Sequence, residues 1–133
     1  GALAVAARNV NAVAPGRVTL HPGNWLEPLS GRFRVIVSNP PYVAAADPHL
    51  ATGDCRFEPR DALTPGDDAL AAIRHIVRTA PPYLEAGGLL AFEHGCEQGE
   101  ACRELLRGLD YRDVETRKDL EGRERVTLGA RPL

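Results

Sequence analysis

The sequence predicts an α/β fold in which a mainly parallel sheet ends in an antiparallel strand pair. Short β-branched or leucine-rich runs are typical of buried strands, and stretches with apolar residues at helical spacing separate them. Two alternating segments near the end of the chain favour a hairpin. The candidate strands lie at 17–21, 34–38, 89–93, 111–116 and 125–128, and the candidate helices at 1–13, 67–79 and 98–109. Strands that alternate with helices usually pair in parallel, so the order of these elements predicts the fold class.

Proline and glycine mark where several of these elements end. Pro15-Gly16 breaks the first helix before the strand RVTLH, and Gly87-Gly88 makes a turn into the strand LLAFE. The turn KDLEGRE joins the last two strands. Residues 43–65 show no sustained period and predict a long loop, and loops of that length inside a domain are usually functional.

Composition limits the classes of function. The 133 residues suit one domain, and a content of 44% apolar and 26% charged residues is ordinary for a globular protein. A net charge of −2 provides no basic surface of the kind that nucleic-acid binders carry. Three cysteines without a CxxC spacing predict reduced thiols and no metal site. Because no segment can span a bilayer and no signal peptide is visible, we expect a cytoplasmic protein.

The tetrapeptide Asn39-Pro40-Pro41-Tyr42 follows a predicted buried strand and carries the candidate chemistry. Neither proline can donate to a sheet, and each restricts the residue before it to extended conformations. The Asn39 side-chain oxygen and the Pro40 carbonyl can therefore face one incoming NH2 group, and the ring of Tyr42 offers a flat surface to a planar substrate. Accepting both hydrogens orients the nitrogen lone pair and favours positive charge that develops on it. This arrangement suits methyl transfer to an amide or a nucleobase amine.

A second Pro-Pro-Tyr sequence provides an internal control. Ala80-Pro81-Pro82-Tyr83 ends a predicted helix and has no amide before its prolines, so we interpret it as structural. Residues 39–42 could likewise have a purely structural role, as a rigid turn after a strand. The strand before them and the long loop after them favour function instead, since ligands bind beyond the carboxyl ends of parallel strands.

Several motifs together resemble the release-factor glutamine methyltransferases of the HemK/PrmC type. They are SNPPYV, DPHL, GDCRFEPRDAL, EHGCEQGE and the terminal ERVTLG, and the resemblance extends over essentially all 133 residues. It implies a Rossmann-like methyltransferase fold, S-adenosylmethionine as the cofactor, and a class 1 peptide-chain release factor as the partner, methylated on the glutamine of its GGQ motif. It also implies that Asn39 and Pro40 bind the glutamine amide, that Pro41 shapes the loop and that Tyr42 packs on it.

The same resemblance assigns cofactor contacts and shows departures from the family. Asn24 and Trp25 match the adenine pocket, and Asn39 would approach the methionine end of the cofactor. An aspartate is usual at the position of Asn24, so we expect a weakened contact with the adenine amine. The family's glycine-rich loop, the acidic residue that holds the ribose hydroxyls and the N-terminal helical domain have no counterpart here.

We therefore expect an N-terminally truncated fold. The sequence has no methionine and opens with an amphipathic pattern that no cap precedes, so residues 1–133 would be the C-terminal portion of a single methyltransferase domain. Alone they would be weakly active or inactive. The family's strand order, 3-2-1-4-5-7-6, would leave one edge of the strand at 34–38 bare.

Other interpretations stay open at the level of sequence. The NPPY motif also occurs in adenine-specific nucleic-acid methyltransferases, which the acidic net charge and the lack of room for a target-recognition domain disfavour. A non-catalytic remnant of the fold is the third alternative. Glu93 and His94 stand at the end of a strand, but without a nearby nucleophile or second carboxylate we interpret them as packing or loop hydrogen bonding.

Two further pairs have structural and functional interpretations. Glu58 and Arg60 either lie near the substrate loop or form an internal ion pair. Cys96 and Cys102 fit packing on the side of a helix better than catalysis.

Overall fold

A computed structural model describes all 133 residues, which divide into two compact units, Gly1–Gly31 and Arg32–Leu133. The first unit contains helix α1 (Ala2–Val13) and an irregular segment after it. The strands of the second unit are β1 (Phe33–Ser38), β2 (Leu84–Glu93), β3 (Arg112–Lys118) and β4 (Glu124–Ala130). Its α-helices are α2 (Arg60–Leu63), α3 (Ala71–Thr79) and α4 (Gly99–Arg107), and its short 3-10 helices are Pro48–Ala51, Gly53–Phe57 and Pro81–Tyr83.

The four strands form one sheet in the order β1-β2-β4-β3. β1 pairs in parallel with β2, whereas β4 is antiparallel to both β2 and β3. This confirms the α/β fold class and the terminal antiparallel pair, and the order corresponds to 4-5-7-6 in the strand order that the resemblance implied. β1 has a partner on one side only, so the predicted bare edge is present in this chain.

One face of the sheet forms the core. Side chains alternate between the two faces of a strand, and Ile36 of β1 is buried while its neighbours Val35 and Val37 are 54% and 75% exposed. α3 and α4 lie side by side, and the hydroxyl of Tyr111 donates to the carbonyl of Val77 at 3.2 Å. The core side chains on the strands and helices include Leu84, Leu90, Phe92, Ile73, Ile76, Val77, Cys102 and Leu106. Burying an aliphatic or aromatic side chain of this size stabilises the fold by about 1.5–3 kcal/mol.

The strand predicted at 17–21 is wrong. The chain turns over residues 15–17 after α1 and then continues without regular structure, and Val18 and Leu20 are 48% and 36% exposed. A strand persists only where a neighbouring strand supplies hydrogen-bond partners, and no segment of this chain pairs with residues 17–21. The alternating apolar pattern was therefore not sufficient.

β2 begins earlier than predicted, at Leu84 rather than at Leu89. Leu84 pairs with Phe33 and Leu89 pairs with Val35, so residues 85–88 bulge out between the two pairs. The predicted glycine turn is this bulge, in which Gly87 has a φ of 71° that glycine adopts readily. The turn was correctly predicted, but the pairing before it was missed.

α3 begins at Ala71, four residues later than predicted, and α4 is confirmed over most of its predicted length. Asp68 accepts a hydrogen bond from the Leu70 N–H at 3.1 Å, so a carboxylate does lie before α3. Cys102 is buried as predicted, but Cys96 is exposed and the packing role predicted for it is wrong. No helix of this chain combines the length and the apolar character that crossing a membrane requires.

Candidate active site

The NPPY tetrapeptide leaves the sheet at the carboxyl end of β1. Ser38, the last residue of β1, pairs with Phe92, so residues 39–42 begin beside Glu93, where β2 ends. Asn39 is exposed and Pro40 is buried. An exposed amide thus follows directly from the strand, and the proline after it is fixed in the protein. The position is the edge of a parallel pair at which α/β proteins bind ligands, as the sequence predicted.

Tyr42 is held at both of its ends, by Glu93 at the end of β2 and by Gln98 in the loop that follows. Its hydroxyl donates to Glu93 Oε1 at 2.6 Å. Its main-chain carbonyl accepts from Gln98 Nε2 at 3.0 Å. The other side-chain atom of that amide, Gln98 Oε1, accepts from the Gly95 N–H at 2.8 Å. Two hydrogen bonds therefore join the loop after β1 to the end of β2 and to the loop that follows it, and the third, between Gly95 and Gln98, lies within that second loop.

The phenol of Tyr42 stays protonated at any physiological pH. Burial, followed by the hydrogen bond and negative charge of Glu93, raises the pKa of Tyr42 to about 12. A hydrogen bond to an ionised carboxylate is stronger than one between neutral groups. The side chain is thus a fixed donor, and the free planar platform that the sequence suggested is restricted by the bond to Glu93.

His94, a buried residue, holds the start of the loop that follows β2. Its Nδ1 donates to the Gly95 carbonyl at 2.8 Å, because a carbonyl can only accept, and its Nε2 lies 2.8 Å from Thr127 Oγ1. Thr127 and Thr116 hydroxyls are 2.9 Å apart, and Arg103 Nη1 donates to Thr116 Oγ1 at 2.8 Å. The interpretation of His94 as a packing and loop-bonding residue is confirmed.

The two ends of the long loop after the tetrapeptide are hydrogen-bonded to each other. The Val43 N–H donates to the Leu63 carbonyl at 3.0 Å, and Arg60 Nη2 lies 3.4 Å from the Ala45 carbonyl, to which it donates. The alternative of an ion pair between Glu58 and Arg60 is wrong, since the guanidinium bonds to the main chain instead. Short helices within the loop replace the structureless segment that the sequence predicted.

The residues predicted to contact adenine belong to the other unit. Asn24 is exposed, and its main-chain carbonyl accepts from the Glu27 N–H at 3.1 Å. Trp25 has a φ of 48°, and 43% of its surface is exposed. The structure thus places Asn24 and Trp25 in the unit Gly1–Gly31 and Asn39 in the unit Arg32–Leu133. A pocket shared by these three residues stays a prediction.

Curated proteins of one kind are similar to this chain over almost its whole length. It is 51% identical over 132 residues to the release factor glutamine methyltransferase of Xylella fastidiosa (strain Temecula1), which covers 98% of this chain and 48% of that protein. The proteins of the same name from Pseudomonas aeruginosa and Vibrio cholerae are 49% and 46% identical, over 96% and 94% of this chain and 47% and 44% of their own lengths. This chain is related to the release factor glutamine methyltransferases. The resemblance seen in its motifs is confirmed, and the chain spans about half the length of the curated relatives it matches. No protein-family model matches it.

Sequence reasoning missed the partners of Tyr42. It singled out Glu93 without a partner and gave no role to Gln98. The available signal was their position, because polar side chains at the end of a parallel strand, and in the loop after it, lie beside those that follow the neighbouring strand. Both residues stand in the EHGCEQGE motif, which carried part of the family resemblance.

Proposed function

We propose that this chain is part of an S-adenosylmethionine-dependent protein-(glutamine-N5) methyltransferase that acts on the GGQ glutamine of peptide-chain release factors. The observation that carries the proposal is an exposed Asn39 and a buried Pro40 at the end of β1, in a chain 51% identical to a protein named for that reaction. A cytoplasmic location belongs to the same proposal, because the relatives are named for release factors, which act in translation.

The acceptor loop can hold a planar amide and prepare its nitrogen for attack. The Asn39 side-chain carbonyl and the Pro40 main-chain carbonyl accept the two N–H bonds of the glutamine amide. Their fixed positions orient the nitrogen lone pair and stabilise positive charge that develops on the nitrogen. Pro41 and Tyr42 keep the loop in this shape. The methylated nitrogen loses its proton readily, so no strong general base is needed.

Part of the cofactor's binding site fits residues of this chain. A partly exposed indole and a neighbouring exposed carboxamide suit an adenine ring, so Trp25 and Asn24 would hold that end, and Asn39 would approach the methionine end. When bound, S-adenosylmethionine supplies an electrophilic methyl group. No Gly-x-Gly sequence occurs in residues 1–133, so the glycine-rich cradle of the family is not formed by them.

The test is a methylation assay with the complete protein, using tritiated S-adenosylmethionine and a release factor that carries the GGQ sequence. We expect label on the glutamine, and we expect Asn39→Ala to lower the rate by about 10²–10³-fold because one oriented acceptor is lost. Asn11→Ala, an exposed amide of α1, is the matched control and should leave the rate unchanged. A rate for Asn39→Ala within a few-fold of the wild type would contradict the proposal.

Duplex DNA assayed beside the release factor distinguishes the alternative substrate class. With a net charge of −2 the chain offers little attraction to phosphates, and we expect no label on DNA at physiological salt. Preferential labelling of adenine would establish the nucleic-acid interpretation instead.

A further inference from the structure

We infer that Glu93 and Gln98 are positioning residues, which hold Tyr42 so that the acceptors of Asn39 and Pro40 face the substrate amide. We call the three hydrogen bonds among Tyr42, Glu93, Gln98 and Gly95 the Tyr42 clamp. The inference rests on the proposed function of the tetrapeptide, and it assigns a role to two side chains that do not touch the substrate.

The clamp acts on Tyr42 from opposite ends. Glu93 holds the phenol at 2.6 Å, which fixes the direction of the side chain, and Gln98 holds the main-chain carbonyl at 3.0 Å, which fixes the peptide plane that follows. Between Tyr42 and Asn39 the chain consists of two prolines, whose φ angles are locked by their rings. A displacement of Tyr42 therefore passes to the Pro40 carbonyl, since few soft torsions lie between them.

Gln98 is suited to this task because both atoms of its amide are used. Its Oε1 accepts from Gly95 and its Nε2 donates to Tyr42, which requires one acceptor and one donor on the same planar group. A glutamate has no donor at that position. The main chain of Gln98 is itself anchored, because its carbonyl accepts from the Cys102 N–H at 3.0 Å in the first turn of α4. The clamp thus extends from a helix, and rigid elements hold site residues more precisely than loops do.

Glu93 brings the opposite side of the clamp from the sheet. It is the last residue of β2 and pairs with Val126 of β4, so its backbone is fixed by the strand ladder. Its carboxylate needs only to accept from Tyr42. A glutamine at this position can accept through its carbonyl oxygen, whereas an alanine cannot.

The experiment compares substitutions at Gln98 and Glu93 in the complete protein. Gln98→Ala, Gln98→Glu and Glu93→Ala should lower kcat by about tenfold or more, since a displacement of about 1 Å at reacting groups costs up to about 10²-fold. The KM for S-adenosylmethionine should stay unchanged. Glu93→Gln should retain most of the activity, because it keeps the acceptor. Glu97→Ala, an exposed neighbour in the same loop, is the matched control and should behave as the wild type.

A spectroscopic measurement separates positioning from stability and does not depend on turnover. Residues 1–133 contain three tyrosines, Tyr42, Tyr83 and Tyr111, and ¹³C labelling of the tyrosine ring carbons reports on each. The Tyr42 signal, assigned by its loss in Tyr42→Phe, should shift in Gln98→Ala and Glu93→Ala and stay in place in Glu97→Ala. Thermal unfolding midpoints close to that of the wild type must accompany the loss of kcat.

The outcomes distinguish this inference from the function on which it rests. If the wild type methylates the release factor and Gln98→Ala keeps full kcat although the Tyr42 signal moves, the positioning role is overturned and the function stands. If Glu93→Gln loses as much activity as Glu93→Ala, retention of the acceptor is not what matters, and the clamp is likewise overturned. A wild type that does not methylate the release factor overturns both.

Discussion

The chain uses the tripeptide Pro-Pro-Tyr twice, at residues 40–42 and at Pro81–Tyr83, in two different structural settings. The second copy continues α3 as a 3-10 turn. Ala80 before it is in the right-handed helical region with φ −67° and ψ −33°, and the Tyr83 N–H donates to the Ala80 carbonyl at 2.9 Å. Its hydrogen bonding is local, and the buried Leu84 follows it at the start of β2.

The first copy has no such local turn and depends on residues far along the chain. It follows a strand, and Tyr42 bonds to Glu93 at the end of the next strand and to Gln98 beyond it. The difference shows that the prolines do not by themselves make a site. The preceding element decides whether the tripeptide closes on itself or is held open at the edge of a sheet by other loops.

The largest effect that would test this comparison is on stability, at the buried residue that follows the second copy. Leu84 is fully buried, so Leu84→Ala should lower the free energy of unfolding by about 2–5 kcal/mol, through lost burial and the cavity left behind. Leu120→Ala, at the fully exposed hairpin tip, should change it by less than about 0.5 kcal/mol. Denaturant titration of the complete protein measures both. A loss of kcat in folded Leu84→Ala would show that the segment after the second copy influences the reaction.

A smaller effect should separate the two tyrosines in catalysis. Tyr42→Phe removes a hydrogen bond to a carboxylate, which contributes about 1.5–3 kcal/mol, and we expect kcat to fall by roughly ten- to a hundredfold. Tyr83→Phe is the matched change in the other copy and should leave kcat within about twofold, since its 3-10 turn is held by main-chain bonds. Steady-state rates on the release factor measure both variants, and an equal loss in the two would remove the distinction between the copies.

The smallest effect is on the pH dependence of stability. The pKa of Tyr42 is raised from 10.0 to about 12, chiefly by burial, so its phenol binds a proton more tightly in the folded chain than in the unfolded one. The stabilisation is therefore fully present below pH 10 and is lost as the pH rises from 10 to about 12. Unfolding free energies at pH 9 and pH 11 should differ more for the wild type than for Tyr42→Phe. Tyr111, whose pKa burial also raises to about 12, contributes equally to both proteins and cancels in this difference. Identical slopes for the two proteins would mean that Tyr42 is not held in the protonated state.

What could be predicted from the sequence follows the range of the interactions involved. β1, the LLAFE part of β2, and α4 were predicted because burial on one side of an element leaves a local period in the chain. The position of Asn39 at a strand end followed from the same signal. The bond between Gln98 and Tyr42 joins residues 56 positions apart, and no local pattern encodes it.

The two errors in the sheet have the same cause. Residues 17–21 have a strand-like pattern and no partner, whereas residues 84–88 lack the pattern and are drawn into β2 by Phe33. Pairing with a distant segment decided both cases. The positions of Asn24 and Trp25 in an adenine pocket came from family resemblance alone and stay a prediction.

Because His94 is buried, the exchange of its ring proton with solvent reports on the opening of the loop that carries Gln98. The side chain is fully buried, with both ring nitrogens engaged, so the Nδ1 proton can exchange with water only when the segment from Glu93 to Gln98 opens. The exchange rate of that one proton therefore gives the free energy of local opening in the resting protein. Binding of a glutamine peptide to the acceptor loop would slow the exchange if the loop after β2 must be closed for the substrate to be held.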